Sequence, residues 1–109
     1  MKEYTQLTSI EMVREFTRDN QLSFIYISRD NCSVCHAVWP KVQGLLGDYP
    51  QILVGKVDAD KVKEIAGEYL VFTVPTMFLL LDQKELFRES RFIRIEQLKQ
   101  NLERAILDI

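Results

Sequence analysis

Residues 31–36 read Asn31-Cys32-Ser33-Val34-Cys35-His36 and contain the only two cysteines of the 109-residue chain. Two thiols three positions apart can close a small disulfide ring, bind a metal together with other ligands, or carry a haem. The sequence on either side of the two cysteines bears on which of these applies.

The dithiol lies between a predicted strand and a predicted helix. Residues Leu22–Ser28 are largely apolar and rich in β-forming side chains, which is typical of a strand. From Ser33 onward, apolar residues recur at helical spacing: Val34, Val38, Val42, Leu45 and Leu46. Cys32 therefore stands at a helix N-terminus, where unpaired backbone N–H groups and the helix dipole stabilise a thiolate. We expect Cys32 to be the attacking thiol and Cys35, one helical turn further on, to be the less exposed, resolving thiol.

Nearly the whole chain resembles the thioredoxin superfamily. The resemblance rests on four features: the Cys-x-x-Cys motif after a strand, Pro40 where thioredoxins kink the active-site helix, Lys56–Asp60 closing a second strand, and Val74-Pro75-Thr76 entering a third. It implies an α/β, thioredoxin-like fold with a central mixed β-sheet flanked by helices. It also implies a thiol-disulfide oxidoreductase that reduces protein or small-thiol disulfides without a cofactor or metal. Protein disulfides would be the substrates, and thioredoxin reductase or a low-molecular-weight thiol the electron donor.

The resemblance also predicts a substrate groove beside the dithiol. The family places a cis-proline facing the two cysteines, and Pro75 occupies that position here. Backbone groups flanking this proline, at Val74, pair with an extended substrate in the manner of an added β-strand. Asn31 stands where the family usually has a tryptophan, and Arg91 lies near the position of a groove glycine. We therefore expect Asn31, Val74, Pro75 and Arg91 to line the groove.

Several positions depart from the family pattern. Tyr26 occupies the place of a buried aspartate that assists proton movement at the second cysteine, and a phenol cannot replace a carboxylate at neutral pH. Lys56, which pairs with that aspartate in the family, has lost its expected partner. The common Gly-Pro between the cysteines is Ser33-Val34. These departures favour a specialised thioredoxin-like reductase with fewer clients.

Length and composition predict one thioredoxin-like domain over residues 1–109. The formal net charge is −2, and acidic and basic residues are interleaved, so no basic stripe for nucleic acid or cationic face for membranes is expected. The first residues, Met1–Leu7, lack the apolar segment of a signal peptide. A dithiol without other cysteines is then more typical of a catalytic or metal-binding pair than of a structural disulfide, and we expect a cytoplasmic protein.

The remaining elements are predicted from apolar periodicity and turn residues. The predicted elements are strand Tyr4–Leu7, a helix from a Thr8–Glu11 capping box to Asp19-Asn20, strand Leu22–Ile27, a helix ending at Gly47, strand Ile52–Val57, a helix from Asp60 to about Ala66, strand Met77–Leu81, strand Leu86–Phe92, and a last helix from Ile95 that buries Leu98, Leu102, Ala105 and Ile106. Trp39, four residues after Cys35, is expected on the same helix face and most simply in the core.

Other functions remain open at the level of sequence. Cys32, Cys35 and His36 match a c-type haem attachment pattern and also provide three possible zinc ligands. Adjacent residues point to different helix faces, however, which disfavours a common metal site. A structural, inert cysteine pair is the simplest alternative. A thioredoxin-fold binding module that captures partners without turnover is another, and a turnover assay would distinguish it from a reductase.

Overall fold

A computed structural model describes residues 1–109 and contains one five-stranded mixed sheet with the strand order β1-β3-β2-β4-β5. The strands are β1 Thr5–Leu7, β2 Leu22–Ser28, β3 Leu53–Asp58, β4 Thr76–Leu81 and β5 Lys84–Ser90. The helices are α1 Ile10–Asp19, α2 Ser33–Leu46, α3 Ile65–Tyr69 and α4 Ile95–Leu107. This is the α/β fold that the sequence predicts.

Strand β2 is the centre of the sheet and is buried along its whole length. It pairs in parallel with β3 and antiparallel with β4, while β1 and β5 form the two edges. Side chains on one face of the sheet pack with α2 and α4, and those on the other face pack with α1 and α3. Because β2 is covered on both faces, it is largely apolar rather than alternating, as expected of such a strand. Its carboxyl end leads directly into the dithiol.

The predicted helix from Asp60 to Ala66 is wrong in its position. Helix α3 begins only at Ile65 and continues through Gly67 to Tyr69. Asp60 does not cap a helix; instead its backbone N–H donates to the carboxylate of Asp58 at 2.9 Å, which closes a turn after β3. The Asp60 carboxylate, which a helix cap would need as an acceptor, pairs instead with Arg29, at 3.1 Å between Oδ1 and Nε.

The second strand of the last hairpin is shifted by two residues from its predicted position, Leu86–Phe92. Its turn is formed by Asp82 and Gln83, both with positive φ (49° and 70°), so β5 starts at Lys84 and ends at Ser90. Two positive-φ residues make the tight turn that matches strand twist, although glycine is the usual occupant. Arg91, also with positive φ (68°), ends the strand, so Phe92 lies outside it.

Two smaller expectations are also corrected. The hydroxyl of Ser9, not that of Thr8, caps α1 by accepting the Met12 N–H at 3.1 Å. In α4, Leu98, Leu102 and Ala105 are buried, but Ile106 is only half-buried at the edge of the core. None of the helices combines the length and the apolar character that crossing a membrane requires.

Candidate active site at the start of helix α2

Cys32 and Cys35 are joined by a disulfide at the start of α2, with their Cα atoms 5.3 Å apart. Cys32 is the N-cap residue in an extended conformation, and its sulfur accepts the Cys35 backbone N–H at 3.2 Å. Cys35 lies in the first turn of the helix, and only 1% of its surface is exposed. Cys32 is partly exposed. The two sulfurs are therefore bonded to each other, but only that of Cys32 is accessible from outside.

An open groove of about 480 Å³ runs past Cys32. The active-site turn provides one wall, and the segment before β4 together with the end of the last hairpin provides the other. The lining residues are Asn31, Cys32, Ser33, Val34, Thr73, Val74, Pro75, Arg91 and Phe92. All four residues that the sequence predicts for the groove therefore meet Cys32 in one concave surface. The peptide bond between Val74 and Pro75 is cis, as the resemblance implied.

Arg91 is held in the groove wall by its backbone. Its N–H donates to the carbonyl of Pro75 at 2.9 Å, and its φ of 68° lies in the left-handed region. A non-glycine residue pays about 1–2 kcal/mol for that conformation. The guanidinium lies 6.0 Å from the centre of the exposed Phe92 ring, and no carboxylate pairs with it. The groove wall thus carries an unpaired cation.

Tyr26 lies beneath the dithiol and is fully buried. Its hydroxyl donates to the backbone carbonyl of Cys35 at 2.7 Å. Burial raises the pKa of Tyr26 well above that of an exposed tyrosine, because the apolar surroundings disfavour the phenolate. The side chain below Cys35 is therefore a neutral hydrogen-bond donor, with no carboxylate in its place.

Three aromatic rings and a lysine form a cluster behind Cys35, which we call the aromatic floor: Tyr4, Tyr26, Trp39 and Lys56. The Trp39 ring is 4.7 Å from that of Tyr26 and 5.1 Å from that of Tyr4. The Lys56 ammonium lies 4.8 Å from the centre of the Trp39 ring, close enough for a cation–π contact. Lys56 forms no ion pair. An aromatic face has therefore replaced the carboxylate partner of Lys56.

Tyr4 is the member of this cluster that the sequence did not identify. It directly precedes the edge strand β1, and only the β1–β3 pairing brings it beside Trp39, which is distant in the chain. The sequence offers only a weak signal, an aromatic residue at the start of the predicted edge strand Tyr4–Leu7. Lone aromatic residues near a terminus are too common for that signal to have been decisive.

His36 is separated from the cysteines by the geometry of the helix. Its side chain is exposed, and Nε2 lies 2.7 Å from the carbonyl oxygen of Asp30, while Cys35 points into the core. No group of three or more His, Cys, Asp or Glu side chains in the chain is arranged to hold a metal. The zinc alternative, which required Cys32, Cys35 and His36 to converge, is therefore not favoured. The haem alternative required a helical cytochrome, and the fold is an α/β sheet instead.

Comparison with known proteins agrees with this geometry. The family model for thioredoxin matches residues 4–104. The chain is 47% identical over 105 residues to the thioredoxin-like protein YdfQ of Bacillus subtilis, covering 96% of this chain and 94% of that protein. The crystal structure of Fasciola hepatica thioredoxin superposes with a TM-score of 0.83 at 25% identity, over 92% of this chain and 97% of the other.

A mutant thioredoxin from Halobacterium salinarum has the same fold, with a TM-score of 0.82 at 24% identity over 94% of this chain and 89% of the other. The match to the family model spans nearly the whole chain, and the two cysteines form the disulfide that thiol-disulfide exchange requires. The chain belongs to the thioredoxin family and is a thiol-disulfide oxidoreductase.

Proposed function

We propose that this protein works in the reducing direction, using Cys32 to attack client disulfides and Cys35 to release the client. One observation carries the proposal: the two sulfurs differ in access, since Cys32 lines the open groove while Cys35 is 99% buried beneath it. An exchange catalyst needs one thiol that clients can reach and a second that only the mixed disulfide can reach. The position of Cys32 as helix N-cap supports the same assignment, because the helix N-terminus stabilises a thiolate.

The proposed reaction has two steps. The Cys32 thiolate attacks one sulfur of the client disulfide, forming a Cys32–client mixed disulfide and expelling the other client sulfur as a thiolate, which water protonates. Cys35 then loses its proton and attacks Cys32 Sγ. The bond to the client breaks, the second client sulfur leaves as a thiolate that takes up a proton from water, and the Cys32–Cys35 disulfide of the structure forms. The client gains two electrons and the protein loses two.

The groove supports a role for Asn31, Val74, Pro75 and Arg91 in holding the client. An extended client segment lying along Pro75 would pair with the backbone of Val74 as an added strand does, which brings its cysteine to Cys32. The partners of the proposal are protein disulfides as clients and thioredoxin reductase or a low-molecular-weight thiol as donor. The proposal also includes a single thioredoxin-like domain over residues 1–109 and a cytoplasmic location.

A turnover assay tests the proposal. The protein is supplied with NADPH and thioredoxin reductase, or in parallel with dithiothreitol, and a disulfide-bonded protein such as insulin is the substrate. We expect continuous NADPH oxidation that depends on both the protein and the substrate. The matched control is the double variant Cys32→Ser, Cys35→Ser, which keeps the fold and removes both thiols.

Three outcomes separate the alternatives. Turnover with either donor supports a reductase, and the donor that works identifies the source of electrons. Stable binding of the client without turnover by either donor would favour a binding module instead. Equal rates for the wild type and the double variant would exclude the dithiol from the reaction.

A further inference from the structure

The groove beside Cys32 carries very little charge. Among its lining residues, Arg91 is the only one with a charged side chain; the others are neutral polar or apolar. A client lying in this groove therefore meets a single fixed cation. One isolated charge in an otherwise neutral cleft discriminates between clients by the charge that they bring to it.

The guanidinium of Arg91 has no partner within the protein. Four other arginines form ion pairs with acidic residues, namely Arg14 with Glu68, Arg18 with Asp19, Arg29 with Asp60 and Arg88 with Glu85. Arg91 forms neither an ion pair nor a side-chain hydrogen bond, and it is exposed. Its donors are available to a ligand, and a guanidinium offers a planar pair of donors that matches a carboxylate.

The backbone places this guanidinium close to where the client's cysteine must lie. The Arg91 N–H is bonded to the carbonyl of Pro75, so the base of the side chain is fixed beside the cis-proline that faces Cys32. Its left-handed φ favours glycine, and glycine would fit here without strain. The arginine is therefore held in a backbone conformation that costs it energy, as are three other non-glycine residues, Leu70, Asp82 and Gln83.

We propose that Arg91 makes the site selective for client disulfides flanked by an acidic side chain, with the guanidinium pairing with an Asp or Glu next to the reacting cysteine. The inference rests on the proposed attack by Cys32 and adds its substrate class. The client is an acidic peptide segment lying extended in the groove, and Arg91 is the residue that determines this specificity.

Short peptides test the inference directly. Two series, Gly-Xaa-Cys-Gly and Gly-Cys-Xaa-Gly with blocked ends, carry Glu, Gln or Lys at Xaa and a neutral 2-thiopyridyl group on the cysteine. Attack by reduced protein forms the Cys32–peptide disulfide and releases coloured pyridinethione, so no electron donor is needed. Each rate constant is divided by that of dithiothreitol with the same peptide, which removes differences in intrinsic reactivity.

For wild type, we expect Glu to react roughly threefold faster than Gln, and Gln roughly threefold faster than Lys, in at least one series, which is the range of an exposed ion pair. The preference should shrink when NaCl rises from about 20 mM to about 500 mM, because salt screens exposed charges. Arg91→Gln should abolish the preference, and Arg91→Glu should reverse it. Arg94→Gln, which removes a nearby charge outside the groove, is the matched control and should keep the wild-type ratios.

Equal normalised rates for the Glu, Gln and Lys peptides in both series would overturn the inference. An equal loss of preference in Arg94→Gln would also overturn it, since the overall charge of the surrounding surface would then be responsible. These failures differ from failure of the proposed function. If wild type released pyridinethione no faster than Cys32→Ser from any peptide, the attack itself would be missing. If attack occurred without charge preference, only the specificity assigned to Arg91 would be wrong.

Discussion

The first turn of α2 has two sides that differ in almost every physical respect. On the groove side, Cys32 faces a wide cleft with exposed apolar residues, Val34 and Phe92, and the unpaired guanidinium of Arg91. On the side of the aromatic floor, Cys35 lies against buried Tyr26, whose hydroxyl is already committed to a backbone carbonyl. One side is built to meet other molecules, and the other excludes them.

This contrast separates the two steps of disulfide exchange. In the proposed reaction, attack by Cys32 takes place on the open side, where water and clients have access. Release by Cys35 takes place above the closed side, where burial disfavours a thiolate and no carboxylate is present to accept its proton. We therefore expect the groove to govern which clients react, and the aromatic floor to govern how fast they leave.

The largest expected effect comes from removing one thiol at a time. Cys32→Ser should abolish exchange completely, because no accessible sulfur remains. Cys35→Ser should still attack clients and should accumulate mixed disulfides through Cys32. Mass spectrometry of each variant after incubation with a disulfide-bonded client measures both results.

Limiting alkylation of the reduced wild type provides the control for this contrast. An alkylating reagent should label Cys32 before Cys35, because only Cys32 lines the groove. Earlier labelling of Cys35 would reverse the assigned roles.

The second prediction concerns the missing carboxylate beneath Cys35. In wild type, release of a preformed Cys32–client mixed disulfide should be the slow step. It should accelerate by up to about tenfold per pH unit above neutrality, since only the thiolate attacks. Tyr26→Asp should speed release at pH 7, and Lys56, the register partner of Tyr26 on β3, is placed to pair with the new carboxylate. Single-turnover release measured across pH is the test.

Tyr26→Phe is the matched control for that experiment, because it removes the hydroxyl without adding a carboxylate and should leave release slow. A buried aspartate costs stability, so the fold of Tyr26→Asp must be checked by circular dichroism. The wild-type profile stands even if that variant does not fold. A pH-independent wild-type rate would mean that another group or water already accepts the proton.

The third prediction is a smaller effect on stability. Removing the Tyr26 hydroxyl in Tyr26→Phe deletes its hydrogen bond to the Cys35 carbonyl and should cost about 1 kcal/mol of unfolding free energy near pH 8. Above pH 10 the order should change. Because burial raises the pKa of Tyr26, the unfolded chain loses this proton first, and wild type loses about 1.4 kcal/mol per pH unit that the Phe variant does not.

Denaturant unfolding of the oxidised proteins between about pH 8 and pH 11 measures this difference. The difference in unfolding free energy between wild type and Tyr26→Phe should narrow above pH 10 and then change sign. A constant gap over the whole range would show that the phenol is accessible to water, and the aromatic floor would then be less closed than the structure indicates.

The smallest expected effect is optical. The chain has one tryptophan, Trp39, whose ring packs on Tyr26 directly beneath the dithiol. Reduction should change the emission of Trp39. Its ring packs on Tyr26, and the Tyr26 hydroxyl donates to the carbonyl of Cys35, one of the two disulfide cysteines. Emission spectra of oxidised and reduced protein are the measurement, with Cys32→Ser, which cannot form the disulfide, as the control. Identical spectra would place the indole outside the influence of the dithiol.

Much of the site could be predicted because its signals are local. The strand before Cys32 and the helix after it follow from apolar periodicity, and the Val74-Pro75-Thr76 entry into β4 follows from family resemblance. The misplaced helix α3 shows where local signals end. Asp60 has the chemistry of a helix cap, but its carboxylate pairs with Arg29, which follows β2. A pairing between segments that are distant in the chain cannot be weighed from residue types alone.

By itself, the sequence determined the fold class, the place of the dithiol between β2 and α2, and the absence of a carboxylate at Tyr26, since each depends on residues close together in the chain or on a single side chain. Only the tertiary structure decided what surrounds the dithiol. The Arg91–Pro75 backbone bond places a cation in the groove, and the β1–β3 pairing brings Tyr4 beside Trp39. Both contacts join distant segments, and their geometry exists only once the sheet has set its register.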